Sequence, residues 1–254
     1  MKIYIITIFP ELFQPFLSTS IVREAQEKGK VSFSIINFRE FAHDRHKTVD
    51  DLPYGGGAGM VIKVEPLYEA YNSIPESDRM KAVTIFLTPR AKVYSQQMAN
   101  ELASKEVLIF IAGHYKDFDE RIFKLIKNHT RISIGDYVLS GGELPAMVVI
   151  DSVVRLVPGV ISDIESAEQD SFGQKNPFLG APSYTRPRSF MGLEVPEVLI
   201  SGDHRKIKEW RKKESLRETY RFRPDLLTDD KLDMEAREML EQIINEEGGK
   251  VEHG

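Results

Sequence analysis

The sequence contains no cysteine among its 254 residues. Disulfides, thiolate nucleophiles and Cys-ligated zinc are thereby excluded, and a reducing compartment suits the chain. No run of about 18 apolar residues occurs, so a membrane-spanning helix is excluded. The amino terminus, MKIYIITIFPELF, lacks the long apolar core and small-residue cleavage site of a signal peptide. The expected location is the cytoplasm, with no membrane partner. Two nucleotide signatures are also missing. YGGGAGM (54–60) does not end in the Gly-Lys-Ser/Thr of a Walker A loop, Lys63 coming too late, and no G-x-G-x-x-G fingerprint is present. These absences argue against a nucleoside-triphosphate loop and an ordinary Rossmann cofactor site.

The composition, 41% hydrophobic and 29% charged, suits a soluble globular protein of one or two domains. The net charge of −5 argues weakly against a nucleic-acid partner, but its distribution does not. Residues 201–224 hold nine bases (Arg205, Lys206, Lys208, Arg211, Lys212, Lys213, Arg217, Arg221, Arg223) against four acids, a local +5. Residues 225–254 hold ten acids and three bases, or −7. Trp210, Tyr220 and Phe222 interleave with the bases. A basic stripe with aromatic rings suits RNA, whose phosphates take cations and whose bases stack. Trp210 itself is expected in the core of a small domain.

Apolar, β-branched runs at 2–9, 31–38, 82–87, 107–113 and 132–136 predict strands. Helical spacing of Leu12, Phe13, Phe16, Leu17, Ile21, Val22 and Ala25 predicts a helix that Pro15 shortens or kinks. The alternation predicts an α/β fold with a mainly parallel sheet. Residues 144–157 read as a helix apolar nearly all round, buried on every side or covered by another subunit. Arg155 within it is a costly charge unless paired, with Asp151 one turn away. The domain expectation is 1–160 as the α/β domain, 161–178 as a polar linker, and 179–254 as a small, mainly helical domain. Its last helix presents Ala236, Met239, Leu240, Ile243 and Ile244 on one face and stops at Gly248-Gly249.

Three strand ends run into unusual loops: Leu87-Thr88-Pro89-Arg90, Gly113-His114-Tyr115, and Gly135 through Glu143 (GDYVLSGGE). Ligands of open α/β sheets bind beyond the carboxyl ends of strands, so these loops are the candidate small-molecule site. IGDYVLSGGE offers free backbone donors suited to the edges of an adenine-like ring. In FAHDRHKTVDDLPYGGG (41–57), His43 and His46 are three apart with no further ligand nearby in sequence, a weak metal signal. A hydrogen-bonding loop for a polar ligand and a solvated loop both remain open there. The four glycines of 54–60 allow positive φ and a close approach to a flat ligand.

Taken in order, DRHKTVDDLPYGGGAGM, FLTPR, GHYKDFDER, SIGDYVLSGGELPAMVVIDSVVRLVPGV, DSF, SYTRPRSF and VPEVLISGDH resemble the bacterial tRNA (guanine-N1)-methyltransferases of TrmD type, over roughly residues 1–245. The resemblance implies an α/β domain of the SPOUT superfamily with a deep trefoil knot. It implies S-adenosylmethionine as methyl donor, N1 of guanosine 37 in tRNA as acceptor, and a homodimer whose interface includes the apolar helix. The implied donor pocket comprises Phe86, Leu87, Thr88, Pro89, Gly113, Tyr115, Ile134, Gly135, Asp136, Tyr137, Leu139, Gly141 and Gly142. Asp170 of the DSF motif is implied as general base and Arg155 as the catalytic arginine. The family's reported magnesium dependence implies Mg2+, for which the sequence offers no dedicated ligand cluster.

One stretch departs from the pattern. The family commonly reads GRYEGIDER where this chain has GHYKDFDER. Lys116 thus replaces an acid and Asp117 a glycine, and Asp117 or Asp119 is a candidate for supplying the charge otherwise. Two alternatives stand beside the enzyme: a SPOUT-type methyltransferase with another RNA target, and a tRNA-binding protein that has lost catalysis.

Overall fold

The structure is a computed structural model that describes residues 1–161, 170–173 and 176–248. Most of the expected linker, 162–169 with 174 and 175, lies outside the described residues. The chain forms two compact units, Met1–Ser162 and Asp163–Gly254.

The strands of the first unit are β1 (Lys2–Thr7), β2 (Ser32–Asn37), β3 (Asp50–Asp51), β4 (Val61–Ile62), β5 (Val83–Val93), β6 (Val107–Ala112), β7 (Asp117–Phe118) and β8 (His129–Ser133). Its helices are α1 (Phe13–Leu17), α2 (Ser20–Glu27), α3 (Val64–Asn72), α4 (Glu76–Arg79), α5 (Gln96–Ala103), α6 (Ile122–Leu125) and α7 (Glu143–Val154). Five strands form one all-parallel sheet in the order β2-β1-β6-β5-β8. The short strands β3, β4 and β7 form a separate small sheet.

A parallel sheet covered on both faces asks for continuous apolar strands, and VLIFIA of β6 is buried throughout. Its residues alternate between two core layers. Leu108 and Phe110 join the layer of Phe13, Ala25, Val149 and Val153, whereas Ile109 and Ile111 join that of Phe38, Leu67, Phe118 and Phe123. The period of two along a strand divides them in this way. Truncating a fully buried ring here, as in Phe110→Ala, is expected to cost about 3–5 kcal/mol.

The amino-terminal helix breaks at Ser18-Thr19 and not at Pro15. Pro15 is the third residue of α1, within the first turn, where a missing N–H leaves no intrahelical bond unmade. Ser20, at φ +49°, restarts the chain into α2. In α7, Ala146, Val149, Ile150, Val153 and Val154 are buried, but Leu144 is 60% and Val148 49% exposed. The helix is therefore not covered all round within this chain. It ends at Val154, so Arg155 is its carboxy-terminal cap and solvent-exposed. The expected cost of a buried charge does not arise.

The second unit is mainly helical, with α8 (Glu197–Ile200), α9 (His204–Phe222) and α10 (Met234–Glu247), plus a hairpin of β9 (Ser189–Phe190) and β10 (Leu193–Glu194). Its core is small: Phe178, Leu216, Ala236 and Ile243, with Tyr220, Leu227, Leu232 and Met239 packed against them. Side chains of Asp203 and Asp233 accept from backbone N–H groups at the starts of α9 and α10, as good N-caps do. Trp210 is not part of this core. It is half-buried, its ring 6.2 Å from that of exposed Tyr184. Among the described residues no helix is long and apolar enough to cross a membrane.

Candidate functional site

Neighbouring strands β6, β5 and β8 end side by side, which brings the three unusual loops together. β5 does not stop at Leu87. Leu87 pairs with Ile132, the chain then leaves the ladder, and Lys92 returns to pair with the same Ile132. Pro89 within this excursion has no N–H to give to a ladder. From the other side, the N–H of Gly142 donates to the carbonyl of Gly113 at 2.6 Å, and His114 bridges Gly141.

These loops surround a cavity of about 530 Å³, counting the part open to solvent. Eleven residues of the expected donor pocket line it: Leu87, Thr88, Pro89, Gly113, Tyr115, Ile134, Gly135, Tyr137, Leu139, Gly141 and Gly142. Phe86 and Asp136 do not. Phe86 is fully buried behind the cavity, edge-on to Phe118, Phe123 and His129. Asp136 is exposed outside the lining.

Gly142 is the close-approach point. A Cβ there would lie 2.9 Å from Ala112 Cα and 2.9 Å from Gly113 N, both backbone atoms. The site therefore depends on the chain of 140–142 lying directly against the end of β6. Tyr115 holds a left-handed φ of +65°, uncommon for a residue with a bulky side chain.

The lining also includes residues outside the expected pocket set, among them His114, Lys116, Asp117, Ser140 and Pro145. Asp117 sits with Arg90, whose Nε is 2.5 Å from Asp117 Oδ2 and whose terminal nitrogen pairs with Glu120. The Glu120 hydrogen bond raises the Arg90 pKa further above its ordinary value. Asp119 is engaged by Arg121 at 2.7 Å and does not line the cavity. Of the two proposed compensating acids, only Asp117 is placed at the cavity, within the extended β7. The left-handed backbone of this stretch falls at Tyr115 and not at Asp117.

Below the cavity, Glu143 opens α7 at 3% exposure. The Thr7 hydroxyl donates to its Oε1 at 2.8 Å, and His114 Nε2 lies 3.9 Å from Oε2. Burial pushes the Glu143 carboxyl above its ordinary value, against the pull of the Thr7 hydrogen bond. Sequence spacing could not join Thr7, His114 and Glu143.

The 41–60 segment is a structured loop outside this lining. Asp44 accepts from the backbone N–H groups of His46 and Thr48, and His43 pairs with Glu69 at 2.9 Å. Among the described residues no group of three or more His, Asp or Glu is placed to hold a metal ion. The described residues therefore form no dedicated magnesium cluster.

Arg155 lies in the first unit and Asp170 in the second, and neither lines the cavity. Within the second unit much of the basic stripe is met by the acidic last helix. Lys212 pairs with Asp233 and Glu235, Lys213 with Glu246, Arg217 with Glu246 and Glu247, and Arg221 with Glu247. The last helix and its cap thus meet four of the nine bases of the stripe. Exposed cations remain at the start of α9: Arg205, Lys206, Lys208 and Arg211, of which Lys208 and Arg211 form no ion pair among the described residues.

Comparison with known proteins agrees with this arrangement. The family model described as tRNA (Guanine-1)-methyltransferase TrmD matches residues 1–229. A tRNA (guanine-N(1)-)-methyltransferase of Carboxydothermus hydrogenoformans is 55% identical, covering 89% of this chain and 87% of its own length. One from Moorella thermoacetica is 49% identical, covering 99% of this chain and all of its own. One from Anoxybacillus flavithermus is 50% identical, covering 95% of this chain and 98% of its own. With the match running from the first strand into the second unit, the chain belongs to the tRNA (guanine-1)-methyltransferase TrmD family.

Proposed function

We propose that this protein transfers a methyl group from S-adenosylmethionine to N1 of guanosine 37 in tRNA, next to the anticodon, in the cytoplasm. The observation that carries the reading is the convergence of eleven expected donor-pocket residues on one cavity at the carboxyl ends of three adjacent parallel strands. The residues fit such a donor. Backbone groups of 133–135 and 140–142 suit the edges of an adenine ring, and Leu87, Pro89, Ile134 and Leu139 suit its faces.

Guanine N1 carries a proton and is a poor nucleophile in its neutral form. Asp170 is assigned to accept that proton as general base. Negative charge then spreads from N1 onto O6, and the Arg155 guanidinium is assigned to hold it there. When bound, the donor supplies a methyl group on a sulfonium, open to in-line attack. The cavity residues hold that methyl group in line with N1, and alignment of two bound reactants supplies much of the rate. No step is routed through magnesium.

Residues 1–160 are the donor-binding domain in this reading, 161–178 the linker carrying Asp170, and 179–254 the tRNA-binding domain. The exposed cations at the start of α9 support the last assignment. Exposed Leu144 and Val148 support a homodimer, since a second copy covering α7 would remove them from water. We assign the cavity loops to a deep trefoil knot of SPOUT type. The close apposition of 113–114 and 141–142 supports this topology.

The test is methyl transfer from labelled S-adenosylmethionine to two tRNA transcripts, with guanosine or adenosine at position 37. The expected product is 1-methylguanosine in the first transcript only, lost in Asp170→Ala. Absence of transfer despite measurable donor and tRNA binding refutes the reading and favours an inactive tRNA-binding protein.

A further inference from the structure

Among the described residues, one cation of the cavity lining has no counter-ion. Of the charged or titratable lining residues, Asp117 is paired with Arg90, and His114 faces Glu143. Lys116 enters no ion pair among the described residues and is solvent-exposed at the cavity's edge. It is nevertheless a positioned side chain. Its backbone N–H donates to the carbonyl of Met60 at 2.9 Å, next to the pairing of β7 with β4. Its stem then runs along the glycine-rich loop. A Cβ built at Gly59 would meet Lys116 Cβ at 3.6 Å and Cδ at 3.8 Å, and one at Gly57 would meet Nζ at 3.7 Å. Gly57 and Gly59 both hold positive φ, +108° and +90°, so the loop passes close to the lysine without side chains of its own. The loop thus flanks the side chain from Cβ to Nζ, and Lys116 is at the same time a residue of the cavity lining.

The donor proposed above has two chemically different ends, a nucleoside and an α-amino acid. The apolar and main-chain walls of the cavity suit the nucleoside. The amino-acid end carries a carboxylate, which in a partly desolvated pocket needs a cation or hydrogen-bond donors. We propose that Lys116 binds the carboxylate of the donor's amino-acid end, so that this residue sets affinity for ligands that carry that group. The inference rests on the donor reading. An RNA phosphate is the other anion within reach of such a chain, but Lys116 belongs to the cavity lining and not to the exposed basic start of α9.

Calorimetric titration of the full-length protein with two nucleosides separates the possibilities. S-adenosylhomocysteine retains the amino-acid end, and 5′-methylthioadenosine lacks it. Lys116→Met keeps the length and removes the charge, whereas Lys116→Arg keeps the charge. Loss of one charged hydrogen bond corresponds to about a tenfold change in affinity. The expected result is S-adenosylhomocysteine binding weakened about tenfold in Lys116→Met and restored in Lys116→Arg, with 5′-methylthioadenosine unchanged in both. An equal loss for both nucleosides assigns Lys116 a packing role and overturns the proposal. So does unchanged binding of both, or a loss confined to tRNA affinity. If the wild-type protein binds neither nucleoside, the donor reading falls, and this inference falls with it.

Discussion

Gly142→Ala isolates the contact on which the cavity depends. The residue has φ −83° and ψ −2°, which alanine adopts without strain. Any effect is therefore steric. The new Cβ would stand 2.9 Å from two backbone atoms of Ala112 and Gly113, whereas ordinary contact begins at 3.4 Å. The two segments must separate by about 0.5 Å, and neither is a flexible side-chain end. Overpacking of this kind costs about 1–3 kcal/mol. The Gly142–Gly113 hydrogen bond, 2.6 Å long, lengthens as well, adding about 1 kcal/mol. The expected loss is about 2–4 kcal/mol, within the roughly 5–15 kcal/mol by which domains are stable, so the variant folds. Gly113, Gly141 and Gly142 all line the cavity, and affinity for S-adenosylhomocysteine is expected to fall at least about tenfold. Urea unfolding followed by far-UV circular dichroism reads the stability, because the sole tryptophan, Trp210, reports only on the second unit. Gly29→Ala is the control. Its φ of +64° makes alanine strained, but nothing lies within 4 Å. About 1 kcal/mol of stability is lost there, with ligand affinity unchanged. A Gly142→Ala variant as stable as wild type, with unaltered affinity, would refute the close-approach argument.

Three further outcomes follow from the same geometry. Asp170→Asn is expected to lower kcat about 10²–10⁴-fold with donor affinity unchanged, as befits removal of a general base outside the cavity lining; single-turnover transfer measures it, and a fall in donor affinity of the same size would contradict the assignment. Glu143 titrates above its ordinary value of 4.5 because it is buried, so its contribution to stability is fully present below that pH and declines as pH rises through the folded value. Glu143→Gln is therefore expected to flatten the decline in wild-type stability as pH rises above 4.5, and parallel melting-temperature profiles would show that Glu143 is not the group responsible. Leu144→Asp combined with Val148→Asp places charge on the exposed face of α7; sedimentation is expected to show monomers where the wild type sediments as a dimer, and an intact dimer would locate the interface elsewhere.

Much of the fold was legible in the sequence because hydrophobic pattern is a local property. All five strands of the parallel sheet appear as apolar runs, and α7 and α10 appear with nearly their full extents, whereas α9 was visible only as a run of charge. The helix after β1 was misjudged at Pro15, since a proline in a first turn does not break a helix and the break came from Ser18-Thr19. The basic stripe was read from composition alone. Composition does not reveal that the acids of 233–247 fold back onto its carboxy-terminal half.

The chain by itself determined the strand-end positions of the three unusual loops and the absence of thiol chemistry. Only the tertiary structure decided that β6, β5 and β8 are neighbours, so that three loops separated by up to 55 residues, from Leu87 to Gly142, line one cavity. It also left Phe86 and Asp136 outside that lining, put Glu143 under Thr7 and His114, and laid Lys116 along Gly57 and Gly59. The reason is physical. Period and propensity act over a few residues of chain, whereas strand order and the approach of one loop to another are settled by which packing of the whole sheet buries its two apolar faces.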